Sequence, residues 1–230
     1  MRRLIAAGPA SLEITLRRSA RARRFSLRVS QLDGQVTLTL PTGAPEAEAL
    51  QFARSKADWI AAAQARSTPP QRPGFGTALP FEGAALTITP APVRAPQIAA
   101  GALLVPADPT RLGLRLAAFL RLAARQRLTA ACARHCAALG RAHRRITLRD
   151  ARSRWGSCAP DGSLMFSWRL ILAPPEVLDY VAAHEVAHLA EMNHSPAFWA
   201  VVARLCPGYA APRAWLKRHG HGLHAYRFGD

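Results

Sequence analysis

Lysine is almost missing from this sequence: Lys56 and Lys217 are the only two, and every other basic residue is arginine. Acidic residues are few as well, 14 against 31 basic ones in 230 residues, which leaves a formal charge of +17. An excess of that size points toward nucleic acid or another anionic surface. An excess built from arginine in an alanine-rich chain equally fits a GC-rich coding bias, so charge alone does not define a function. No apolar run approaches the ~20 residues of a membrane-spanning helix. Met1-Arg2-Arg3 opens like a signal peptide, but Gly8-Pro9 ends the apolar stretch after Ala7, short of the about 7–15 residues of a secretory core. The four cysteines (Cys132, Cys136, Cys158 and Cys206) lack the spacing of a disulfide framework, in line with a reducing compartment. These absences lead to the expectation of a cytoplasmic protein with no membrane partner. No repeat period is visible.

Half of the residues are apolar, enough at this length for one large domain or two small ones with a core that needs no staples. Alternation predicts strands over 14–16, 25–29 and 36–40, with Asp33-Gly34 as a hairpin signal between the last two. A helix is predicted from Ala44 to Arg66, with Pro45, Glu46 and Glu48 in its first turn. Short strands follow near 84–89 and 99–105. Leu112, Leu116, Phe119, Leu122 and Ala123 give helical spacing to a long stretch from about Thr110 to Leu139. A small antiparallel sheet is expected after it, then further helices. The reading is an α+β protein with a β-rich portion at 1–107 containing one helix, and a helical portion with a small sheet at 108–230.

The segment that carries chemistry runs from Tyr180 to Leu189. Pro174-Pro175-Glu176 before it suits a helix start, with proline and a carboxylate in the first turn. His184 and His188 are four residues apart, which places their Cβ atoms about 5–6 Å apart on one helix face. Two imidazoles so placed can share a metal ion. Glu185 is rotated about 100° from His184 and stands beside such an ion, where it can hold and deprotonate water. This is the His-Glu-x-x-His pattern of zinc peptidases. A random sequence of this composition contains about 0.008 such matches.

A catalytic zinc requires a third protein ligand and one open position. Glu191 lies about 10 Å from His184 along a straight helix and cannot converge with the other two. His194 is the better candidate. Asn193 can take the left-handed conformation that ends a helix, and Ser195-Pro196 reads as the cap and first turn of the next. The chain then reverses where His194 sits. The expected zinc ligands are therefore His184, His188 and His194, with Glu185 as the acid/base and a peptide or protein as substrate.

These residues, with Ser153-Arg154-Trp155-Gly156-Ser157-Cys158 upstream and Asn193-His194-Ser195-Pro196-Ala197-Phe198-Trp199 downstream, closely resemble the YgjP-like metal-dependent hydrolases. That bacterial family is grouped with the WLM and SprT-type zinc peptidases. The likeness extends to Asp179-Tyr180-Val181, Pro207-Gly208-Tyr209, Trp215-Leu216-Lys217 and the early Ser26-Leu27-Arg28-Val29. It implies a zincin-like catalytic half with three histidines on zinc and Glu185 as catalytic acid/base. Metzincins share the His188–His194 spacing but carry glycine where Glu191 stands. Gluzincins use a later glutamate, and no acidic residue follows Glu191 until Asp230.

Weaker signals stay open. Tyr209, Arg213, His219 and His221 are candidates for stabilising an oxyanion. The stretch 154–170 can supply an edge strand for an extended peptide, while Trp155 and Trp168 also suit core packing. Cys158 reads as a small buried hydrophobe rather than a ligand. Cys132, His135 and Cys136 make a conceivable second metal site. His219, His221 and His224 read as a solvated tail. The competing function is a nucleic-acid-binding protein, or a DNA-associated protease, using the arginines at 17–28 and 111–127. A purely structural zinc is the weakest option, since structural sites usually close with four protein ligands.

Overall fold

The computed structural model describes residues 2–7, 10–30, 33–65 and 69–229. The chain divides into two compact units, Met1–Pro70 and Gln71–Asp230.

The first unit holds strands β1 (Arg2–Ala7), β2 (Ala10–Ser19), β3 (Ser26–Val29) and β4 (Val36–Pro41), then helices α1 (Glu46–Arg54) and α2 (Ala57–Ala65). Its sheet has the order β1-β2-β4-β3. Two antiparallel hairpins meet at a parallel β2–β4 pair. The hairpin foreseen around Asp33-Gly34 joins β3 to β4, although residues 31 and 32 of its connection lie outside the described residues. Alternation along β4 buries Val36, Leu38 and Leu40, which meet Ile14, Ala49, Ala53 and Ile60 in one core. The single helix expected over 44–66 is two helices. The Ser55 hydroxyl donates to the Phe52 carbonyl at 2.8 Å, a local bond of the kind that competes with helical continuation.

The second unit contains β5 (Ala78–Phe81), β6 (Ala84–Ala91), β7 (Gln97–Ala99) and β8 (Ala102–Pro106) in the order β5-β6-β8-β7. This repeats the hairpin–parallel–hairpin pattern of the first sheet, a likeness of topology with no counterpart period in the sequence. Leu79, Ile88, Leu103 and Val105 of these strands share a core with the helices that follow. The boundary in the structure therefore falls near residue 70, not near 107, because the inward faces of these strands are buried against later elements.

The long helix α3 (Leu112–Leu139) ends where expected, with Gly140 at φ 74° as its left-handed cap, a conformation only glycine adopts without strain. After it come β9 (Arg145–Arg149), β10 (Gly156–Cys158) and β11 (Ser163–Ser167), ordered β10-β11-β9. The antiparallel expectation holds for β10–β11, while β9 joins β11 in parallel, so this sheet is mixed. Helices α4 (Pro175–Ala187), α5 (Pro196–Leu205) and α6 (Ala210–His219) complete the unit. Among the described residues no helix is long and apolar enough to cross a membrane.

Two expectations about charge and the C-terminal segment change. Of the arginines at 111–127 expected to form a basic surface, Arg115 is paired with Asp108 and Arg127 with Glu82; beyond that stretch Arg134 is paired with Asp179 and Arg144 with Asp161. The residues read as a solvated tail form a 3₁₀ turn, Gly220–His224, in which His224 is buried and stacks on Trp155 at 4.8 Å. Arg169, itself buried, fixes this segment by donating to the carbonyls of Leu223 and Tyr226. Its other edge makes a two-pronged pair with Asp150 at 2.6 and 3.0 Å.

Burial raises the Asp150 carboxyl, but the hydrogen bonds and charge of Arg169 outweigh it and the net shift is downward. A depressed carboxylate pKa adds stability above the unfolded value near 4 and loses it as pH falls through the folded one. Asp150→Asn should therefore cost about 2–3 kcal/mol at pH 7, below the full buried-pair figure because Asp150 is partly solvated. In urea titrations the gap between wild type and variant should close in acid; a gap unchanged at low pH would refute the pairing.

Candidate metal centre

Helix α4 begins as its sequence dictates, with Pro174 as the cap, Pro175 in the first turn and Glu176 near the positive end of the dipole. It is apolar nearly all round. Val177, Leu178, Val181, Ala182, Ala183, Val186 and Ala187 are buried, so the polar groups on its last turn lie in low dielectric. His184 sits in that turn and His188 caps the helix in right-handed geometry. Asn193 is not left-handed. The reversal is made earlier, by tight turns after Val186 and Ala187, and the Asn193 side chain instead accepts from the Ser195 amide at 3.1 Å. Ser195 then caps α5, accepting from the Phe198 amide at 3.3 Å.

This path brings His184, His188 and His194 together, with one nitrogen from each lying within 4.8 Å of the others. Nε2 of His184 and Nε2 of His194 are 3.1 Å apart. Two nitrogens at 2.0–2.1 Å from a tetrahedral ion stand about 3.3 Å apart, so the spacing suits a shared cation. The His188 Nδ1–H donates to the Glu191 carbonyl at 2.9 Å, which fixes the tautomer with the Nε2 lone pair free. Glu191 thus contributes through its backbone, not its carboxylate. Burial, reinforced by the neighbouring histidines, pushes His184 down to about 4, and burial lowers His188 too. Both rings are then neutral at pH 7, the form that binds metal. The Nδ1 of His184 is buried with no hydrogen-bond partner among the described residues.

Phe198, with no exposed surface, supports all three rings at centroid distances of 4.9, 4.4 and 4.8 Å from His184, His188 and His194. Trp199 packs against His184 and His194 at 5.8 and 6.0 Å. From there a stack runs outward through Tyr209, at 5.5 Å from Trp199, to Tyr180, whose edge meets His184. Sequence reasoning gave Phe198 no role; its place four residues after His194, one turn along, was the available signal.

Glu185 is 5% exposed. Burial pushes its carboxyl up to about 8, with the charge of Arg154 opposing. The backbone of Gly156 on β10 lies directly against it. A Cβ at Gly156 would stand 2.5 Å from Oε1 and 2.6 Å from Cγ of Glu185. This glycine is required by close approach rather than by a special φ. Since β10 is the edge of its sheet, an open strand runs beside the carboxylate.

The other candidates divide. Among the described residues the three histidines are the one group placed to hold a metal. Cys132 and Cys136 do not join a second one: His135 instead meets Asp179 at 3.0 Å, and Cys136 contacts His143. Burial pushes the Cys132 thiol up to about 12 and that of half-buried Cys158 up to about 11, so both are thiols rather than thiolates. Trp168 is core, whereas Trp155 is half-buried at the rim of a cavity. Tyr209 and Arg213 reach the histidines through Trp199; the ring of His219 packs on Trp215 instead.

Converging imidazoles on a buried helix beside a carboxylate are an arrangement that metal-dependent peptidases use, and the comparison of families agrees. The model described as the YgjP-like metallopeptidase domain matches residues 23–219. The chain belongs to the YgjP-like metallopeptidase family. No curated protein matches it. Among solved structures, the metallopeptidase zymogen of Pyrococcus abyssi abylysin aligns over 39% of this chain and 93% of its own, at 20% identity and a TM-score of 0.36.

Gly156→Ala is expected to displace the Glu185 carboxylate while leaving the histidines in place. Peptide hydrolysis should fall at least about tenfold with metal content unchanged, and stability should drop by about 1–3 kcal/mol from overpacking. Full activity in the alanine variant would show that this contact does not set the carboxylate.

Proposed function

We propose that the chain is a zinc-dependent peptidase whose ion is held by His184, His188 and His194 and whose acid/base is Glu185. The observation that supports this reading is the convergence of three imidazole nitrogens within 4.8 Å at the C-terminal end of the helix that carries Glu185. All three donors are nitrogen, a set that suits zinc, and three protein donors leave a fourth position free. A zinc ion held by these three histidines would polarise a substrate carbonyl and would lower the pKa of a water molecule from about 15.7 to about 7.

The remaining work falls to the chain's own groups. A carboxylate oxygen of Glu185 takes the proton of the attacking water and returns it to the leaving amine nitrogen. Burial brings its proton affinity close to neutral pH, where an acid/base works best; a nearby cation pulls the value back down. The free edge of β10 offers backbone groups to an extended peptide, which can add as a further strand and bring its carbonyl past the carboxylate. Phe198 and the aromatic stack keep water from the rear of the imidazoles.

Metal analysis of the purified protein should find one zinc per chain, and His194→Ala should lose it. Glu185→Gln should keep the metal and lose about 10²–10⁴-fold in peptide hydrolysis. Hydrolysis that survives Glu185→Gln would remove the glutamate from the mechanism.

A further inference from the structure

Beside the metal centre lies a cavity of about 540 Å³, within the size range of small-ligand pockets. It is lined by Trp155, Tyr180 and Leu216 and by a stripe of α6, namely Ala210, Arg213, Ala214 and Lys217. Those four positions follow helical spacing of three, four and seven residues, so they share one face. The two alanines leave room, and the two long residues bring positive charge to its border. The Arg213 guanidinium lies over the Trp199 ring at 4.4 Å, and that ring packs on His184 and His194. Arg213 is thus one aromatic ring away from the proposed zinc ligands, and its charge is felt by both Tyr180 and His184.

What this pocket lacks is a counter-charge. Arg115, Arg127, Arg134, Arg144 and Arg169 of the second unit are each paired with an acid. Arg213 and Lys217 have no ion pair among the described residues. No acidic residue lines the cavity. Lys217 is moreover one of only two lysines in the chain, so compositional bias toward arginine does not account for it. We propose that Arg213 and Lys217 form a subsite for an anionic group on the substrate, a carboxylate next to the bond being cleaved. Arg213, stacked and planar, supplies directional hydrogen bonds to the oxyanion, and Lys217 adds a mobile point charge. The inference rests on the peptidase reading only for the kind of molecule that carries the anion.

The test uses the full-length, zinc-loaded protein and peptide pairs that differ by one charge: glutamate against glutamine flanking the cleaved bond, and a free C-terminal carboxylate against its amide. Wild type should favour one charged member by at least about tenfold in kcat/KM, chiefly through KM, as expected for a charge-assisted contact. Which pair shows it tells a side-chain carboxylate from a chain terminus. The preference should collapse toward unity in Arg213→Gln/Lys217→Gln and be restored in part by Lys217→Arg with Arg213 intact. Calorimetric titration of the same proteins with N-acetylglutamate and with inorganic phosphate separates this subsite from the peptidase reading. Weaker anion binding in the double variant supports the subsite even if no peptide is cut. Equal anion binding by both proteins, no binding by wild type, or equal use of charged and neutral peptides overturns it.

Discussion

Phe198 lies buried beneath three imidazoles, and the geometry of the candidate metal centre depends on that packing. Histidines on an exposed turn would be hydrated and free to rotate. Here the phenyl ring removes water from one side of each, burial keeps His184 and His188 neutral, and the Glu191 carbonyl fixes the tautomer of His188. Phe198 is in turn placed by the Ser195 cap that starts α5. A short polar turn between two helices thereby sets the directions of three donor atoms.

The same low-dielectric logic governs Glu185. A carboxylate with 5% exposure is costly to ionise, and the fold admits it only because β10 approaches through a glycine. That approach also sets the open strand edge beside the carboxylate. Glu82, Asp108, Asp150, Asp161 and Asp179 of this unit are paired with arginines, and one of these pairs, Asp150–Arg169, fastens the final turn that carries His224 against Trp155. The scarcity of acids leaves the cationic face of α6 without partners, next to the site where a substrate would lie.

The strands and helices that stand on clear periodicity were legible from the sequence: β4 from its alternation, α3 from its apolar spacing, α4 from its prolines and apolar run. The convergence of His194 with His184 and His188 was legible too, because a capping serine and proline one and two residues later require a new helix to start there. The break at Ser55 was not, since it depends on one hydroxyl turning back to a carbonyl. Nor was the parallel entry of β9, which is a matter of how distant strands pair. The boundary near residue 70 was missed because alternation says that a strand has a buried face but not which element buries it.

The sequence by itself determined the chemistry available: two imidazoles one helical turn apart, a carboxylate beside them, and a third imidazole after a reversal. Those relations are local, and helix geometry converts them directly into distances. Only the tertiary structure decided which groups surround that chemistry. Phe198 under the rings, Gly156 against Glu185, Trp155 with His224, and Arg213 on Trp199 are contacts between elements whose separation in sequence carries no period. The arginine excess changes meaning for the same reason. As composition it was a uniform positive charge; folded, some arginines are held in ion pairs while others, Arg213 on α6 among them, have none among the described residues, because only packing determines which charges find a partner.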